Sequence, residues 1–84
     1  MTIDTTLDDR KKTHGDYEFV AHHSQAIKDI VRNTDNYRSM SPEAKESLDN
    51  IAQKIARIIE GNWKEKDHWR DISGYATLVE RILP

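Results

Sequence analysis

The stretch 41–61 constrains this chain more than any other, because it spells a whole helix with both ends marked. Ser41 is an N-cap residue whose hydroxyl accepts an otherwise unpaired backbone N–H. Pro42 suits the first helical position, where its missing N–H costs nothing. Glu43 and Glu46 follow at the positive end of the helix dipole. Ala44, Leu48, Ile51, Ile55 and Ile58 recur at three- and four-residue spacing, with Ala52 and Ile59 widening the stripe. That spacing predicts a helix over 42–60 with Leu48, Ile51, Ile55 and Ile58 at the centre of a core. Gly61 is expected to end it in the left-handed conformation.

Three further helices are read around this one. Residues 1–5 carry no periodic signal and are expected to fray, and Thr6 is placed to cap a short helix over 7–12. His14-Gly15-Asp16 breaks that helix, with Asp16 at the cap of a second helix over 16–33. On it Phe19, Val20, His23, Ile27, Ile30 and Val31 share one side. Residues 33–40 contain Asn-Thr-Asp-Asn and read as a loop anchored by Tyr37 and Met40. Trp63, in the connector after Gly61, is expected to fold back onto the core. Asp67 is read as the cap of a last helix over 67–83, where apolar residues from Trp69 to Leu83 cover nearly half the circumference. No stretch alternates with period two, so the expected class is all-α: a single domain, a three-helix bundle with a short extra N-terminal helix.

With 84 residues, such a chain has only a small core to rely on. The wide apolar face of the last helix, with Ala52 and Ala56 on the rim of the middle one, therefore points to completion by a homodimer. The sequence has no cysteine, which excludes disulfides and thiolate zinc sites. No run is long and apolar enough for a membrane span, no signal peptide is visible, and the expected location is the cytoplasm. A net charge of −2 without blocks of like charge argues against a bulk grip on nucleic acid.

Several polar positions carry alternative readings. Lys54 and Arg57 lie three residues apart on one side of the middle helix, and Asp67 and Asp71, four apart, share a flank of the last. The four form either a structural ion-pair network or an anion-binding site, with Tyr75 beside them. Gly74, costly inside a helix, is expected to admit a close neighbour or a ligand. His14 and Asp16 flank a helix start that can hold a phosphate or carboxylate, unless Asp16 is itself the capping anion. His23 reads as a hydrogen-bonded core residue.

Three stretches also carry a family resemblance: Thr13-His14-Gly15-Asp16-Tyr17, the Lys54-x-x-Arg57 helix, and Asp67-His68-Trp69-Arg70-Asp71-Ile72-Ser73-Gly74-Tyr75-Ala76-Thr77-Leu78. In these the chain resembles a family of small phage and prophage helical proteins, related to phage domains found beside nucleotide-metabolism genes. The resemblance covers roughly residues 7–83. It implies a phage or prophage origin and expression in a bacterial cytoplasm. Because the sequence has no Ser-His-Asp order, Gly-rich phosphate loop, His-Glu-x-x-His or zinc spacing, a non-enzymatic binding or regulatory module for a nucleotide or a host protein is expected. More distantly, Glu43-x-x-Glu46 with Asp67 and Asp71 is similar to the carboxylate sets of all-α nucleoside triphosphate pyrophosphohydrolases. That resemblance implies the alternative of a magnesium-dependent hydrolase, since magnesium is held by hard oxygen ligands together with substrate phosphates.

Overall fold

The computed structural model describes residues 2–84. Five helices follow in order: α1 (Ile3–His14), α2 (Tyr17–Arg32), α3 (Asp35–Ser39), α4 (Pro42–Glu60) and α5 (Lys66–Ile82). No strand occurs among the described residues.

Helix α4 matches its reading from the sequence at both boundaries. The Ser41 hydroxyl accepts from the Ala44 N–H at 3.2 Å, Pro42 opens the first turn, and the Gly61 N–H closes the last on the Arg57 carbonyl at 2.8 Å. Gly61 itself is not left-handed, with φ −109°. Its lack of a side chain serves close approach instead: a Cβ there would lie 2.5 Å from the Thr13 carbonyl oxygen and 2.6 Å from the Gly15 nitrogen. Gly15 does have positive φ, 88°, and a Cβ on it would meet Glu60 at 2.7 Å. The two glycines thus let the end of α1 and the end of α4 touch backbone to backbone.

Elsewhere several boundaries move. Helix α1 starts at Ile3, capped by Thr2 rather than Thr6, so residues 3–5 are helical; Met1 lies outside the described residues. The stretch read as a loop holds α3, one short helix capped by the Thr34 hydroxyl on the Tyr37 N–H at 3.2 Å. Asp16 caps α2 as read, accepting from the Glu18 N–H at 3.2 Å. Asp67 is not the cap of α5: Glu65 holds that position without a side-chain bond, and Asp67 pairs with Arg70 one turn on at 3.3 Å.

The core is built from small side chains. Helix α4 packs against both α2 and α5, which make at most marginal contact with each other, so the three long helices form an open layer with α4 in the middle. Ala52 and Ala56 are buried along α4, with Ser47 farther round it and Val20 and Ser24 on α2. This corrects the expected centre. Ile55 is exposed and Leu48, Ile51 and Ile58 are only half-buried, while Phe19, Ile30, Trp63 and Trp69 stand exposed. The alanines lie inside the fold rather than on its rim, because a helix flanked on two sides needs short residues where its neighbours come closest. Two cross-helix pairs fasten α2 to α4: His23 to Glu60 at 2.7 Å and Arg32 to Asp49 at 3.1 Å.

Candidate functional site

The Gly15–Gly61 contact fixes one end of the layer, and the polar residues of interest gather there. The Thr13 carbonyl accepts from the Asn62 N–H at 3.1 Å and pairs with His68 Nε2 at 2.8 Å. A carbonyl oxygen only accepts, so His68 carries a proton on Nε2. His68 is 1 % exposed, the largest fully buried side chain among the described residues. Sequence reading missed it, yet position 68 continues the 72, 75, 79 stripe back by one turn, and that spacing is its signal.

His14 meets His68 ring to ring at a 60° tilt, centroids 5.1 Å apart, and its Nδ1 meets the Thr13 hydroxyl at 3.0 Å. Burial first, then the charge of Arg57, with smaller electrostatic contributions from His68, Arg10 and Lys54, holds the His14 pKa below its ordinary 6.5. It is therefore neutral at pH 7.

Beside His14 a cavity of about 500 Å³ opens between α1, the start of α2 and the outer side of α4. Leu7, Tyr17 and Val20 supply its apolar wall, and Arg10, Lys11 and Arg57 its charged one. Its volume falls in the range of small-molecule sites, roughly 300–1,000 Å³. Arg57 is half-buried, and its guanidinium makes no ion pair or hydrogen bond among the described residues. Its pKa is pulled below the ordinary value by desolvation first and by Arg10 second, against an opposing pull from Asp71 and Tyr75. Asp8 lines the same cavity but forms no pair with Arg57, and Asp16 is taken by Lys11 at 3.4 Å and by the α2 cap.

The expected cluster of Lys54, Arg57, Asp67, Asp71 and Tyr75 is thus divided. Lys54, mostly buried, binds Asp71 at 3.0 Å and holds that carboxyl below the usual carboxylate range. Tyr75 and Arg57 lie near this pair. Asp67 turns away to Arg70, and Arg57 is brought to His14 and Arg10. No close neighbour fills the space beside Gly74, where a Cβ would meet nothing within 4 Å. Arg10, the cation that completes the cavity, was not singled out in the sequence; its only signal is its place one turn before His14.

Magnesium would need the acids together. Glu43 and Glu46 sit in the first two turns of α4, and Asp67 and Asp71 sit near the start of α5. Asp71 lies opposite Lys54, and Glu46 is roughly 12 Å farther along α4 at 1.5 Å per residue. No group of three or more metal-ligating side chains forms among the described residues. No helix there is long and apolar enough to cross a membrane.

Comparison with protein-family models, curated proteins and solved structures finds no match. The three stretches that carry the phage-protein resemblance do meet in space, through Thr13 with His68, His14 with Arg57, and Lys54 with Asp71.

Proposed function

We propose that this chain is a non-catalytic binding or regulatory module, and that its site is the cavity under α1. The observation that carries this reading is Arg57. A guanidinium that is partly desolvated, set against another cation and given no carboxylate is an arrangement that costs stability in the free protein. An anion entering the cavity supplies the missing partner, and Arg57 with Arg10 suits the two-pronged geometry of phosphate or carboxylate. The apolar wall and the exposed Tyr17 ring at the mouth favour an anion that carries a flat or apolar body. A nucleotide combines both, and it is the class the phage-type resemblance favours for a module acting in a bacterial host cytoplasm.

The test is a thermal melt with ATP, ADP, AMP, GTP and inorganic phosphate, on the wild type and on Arg57→Gln. At least one nucleotide should raise the wild-type midpoint and leave Arg57→Gln unmoved, while phosphate alone does less. The unliganded variant should melt at or above the wild type, because it no longer holds two cations together. A nucleotide that stabilises both proteins equally places the site elsewhere. Phosphate release with magnesium in the same samples would replace the module by a hydrolase.

A further inference from the structure

The three long helices leave one whole side uncovered. Lys54 meets Asp71 on one side of the layer, and the cavity lined by Tyr17 and Arg57 opens on that same side. On α4, Leu48, Ile55 and Ile59 fall on the opposite arc at 100° per residue. Phe19 and Ile30 of α2, eleven residues and so three turns apart, share that side, as does Trp69 in the first turn of α5. Phe19, Ile30, Ile55, Ile59 and Trp69 are each between 37 and 74 % exposed.

The amount of surface says what this side needs. The chain exposes 6310 Å², whereas a monomeric protein of 9.8 kDa exposes about 5,200 Å². Its radius of gyration is 14.4 Å against about 12 Å for a compact chain of this length. The excess of roughly 1,100 Å² covers the ~800 Å² that each partner contributes to a standard interface.

We infer that a second copy of this chain covers the side formed by Phe19, Ile30, Ile55, Ile59 and Trp69, giving a two-fold dimer of open layers. A two-fold axis sets like against like, which apolar side chains accept and charges do not. The α4 stripe from Leu48 to Ile59 carries no charge on its arc, while the opposite side presents Arg10, Lys11 and Arg57, which two copies could not face together. The cavity stays free on the outer side of each layer. This goes beyond the ligand reading and stands without it.

Sedimentation equilibrium across the micromolar range tests the pairing. The wild type should run near twice 9.8 kDa. Ile59→Lys and Phe19→Lys should each raise the dissociation constant more than about tenfold with helical circular dichroism retained, and Leu78→Lys, on the other side of α5, should leave it unchanged. Should a lysine variant unfold, cysteine placement decides in its stead, since the chain has no cysteine of its own. Ile55→Cys should form a disulfide-linked dimer on mild oxidation and Leu78→Cys should not. A wild type of 9.8 kDa throughout overturns the inference and gives the side to a different partner. So does a dimer weakened only by Leu78→Lys, or cross-linked better by Leu78→Cys.

Discussion

Replacing Gly61 with alanine adds one methyl group where three backbone atoms already stand. The new Cβ would lie 2.5 Å from the Thr13 oxygen and 2.6 Å from both the Gly15 nitrogen and the His14 carbonyl carbon. Ordinary contact begins near 3.4 Å, so α1 and α4 must part by roughly 0.9 Å, and none of the three atoms is the end of a flexible side chain that can swing away. The Thr13 oxygen accepts from Asn62 at 3.1 Å and from His68 at 2.8 Å, and a shift of that size takes at least one bond out of range. Losing the backbone bond costs about 1 kcal/mol, and leaving the buried His68 ring unpaired costs about 1–3 kcal/mol. Together the loss is roughly 2–4 kcal/mol, which in a domain of this size lowers the midpoint by about 10–25 °C. Gly74→Ala is the control. A Cβ there meets nothing within 4 Å, so the same substitution should stabilise by about 1 kcal/mol through helix propensity. Urea titrations of both variants at one protein concentration give the two signs side by side, concentration being held because association shifts the midpoint. A Gly61→Ala midpoint equal to or above the wild type would refute the argument that backbone contact requires this glycine.

Two shorter expectations follow from the same packing. Because the folded His14 pKa lies below 6.5, its folded state binds fewer protons than the unfolded chain; its contribution is complete above pH 6.5 and is lost as pH falls toward the depressed value. His14→Gln should therefore flatten the fall in melting temperature below pH 6.5, and an unchanged slope would assign it to other groups. Ala56→Leu should cost roughly 1–3 kcal/mol in urea denaturation despite adding apolar volume, since Ala56 is 0 % exposed between α4 and its neighbours. A gain in stability would mean that the seam is loosely packed.

Helix α4 was legible because its cap, proline and terminal glycine are local signals that no neighbour overrides. Its core was not legible, for a geometric reason. The apolar residues of α4 average to a direction through Leu48, Ile55 and Ile59, but α2 and α5 dock on the two flanks of that direction. Periodicity thus found the open side of the layer, and the contact line fell on Ala52 and Ala56, which carry little weight in any hydrophobic average. Helix α3 is too short to show a period, although Thr34 offered a cap. Helix α1 buries no residue, so no stripe could announce that it starts at Ile3. At the site, Lys54 with Asp71 was readable from matched positions on two helices, while the meeting of Arg57, Arg10 and His14 depends on a contact between residues 13 and 68 that no local pattern encodes.

That contact also sets how the protein opens. Helix α1 is held to the rest at its final turn, by Thr13, His14 and Gly15, and along the remainder of its length it has no buried side chain. Its release is a low-lying partial unfolding, a local event that leaves the α2–α4–α5 layer standing. Five residues that line the cavity, Leu7, Asp8, Arg10, Lys11 and His14, leave with it. Whatever occupies the cavity is therefore linked to the attachment of this one helix, and amide exchange within α1 reports occupancy even where the ligand touches none of the amides being read.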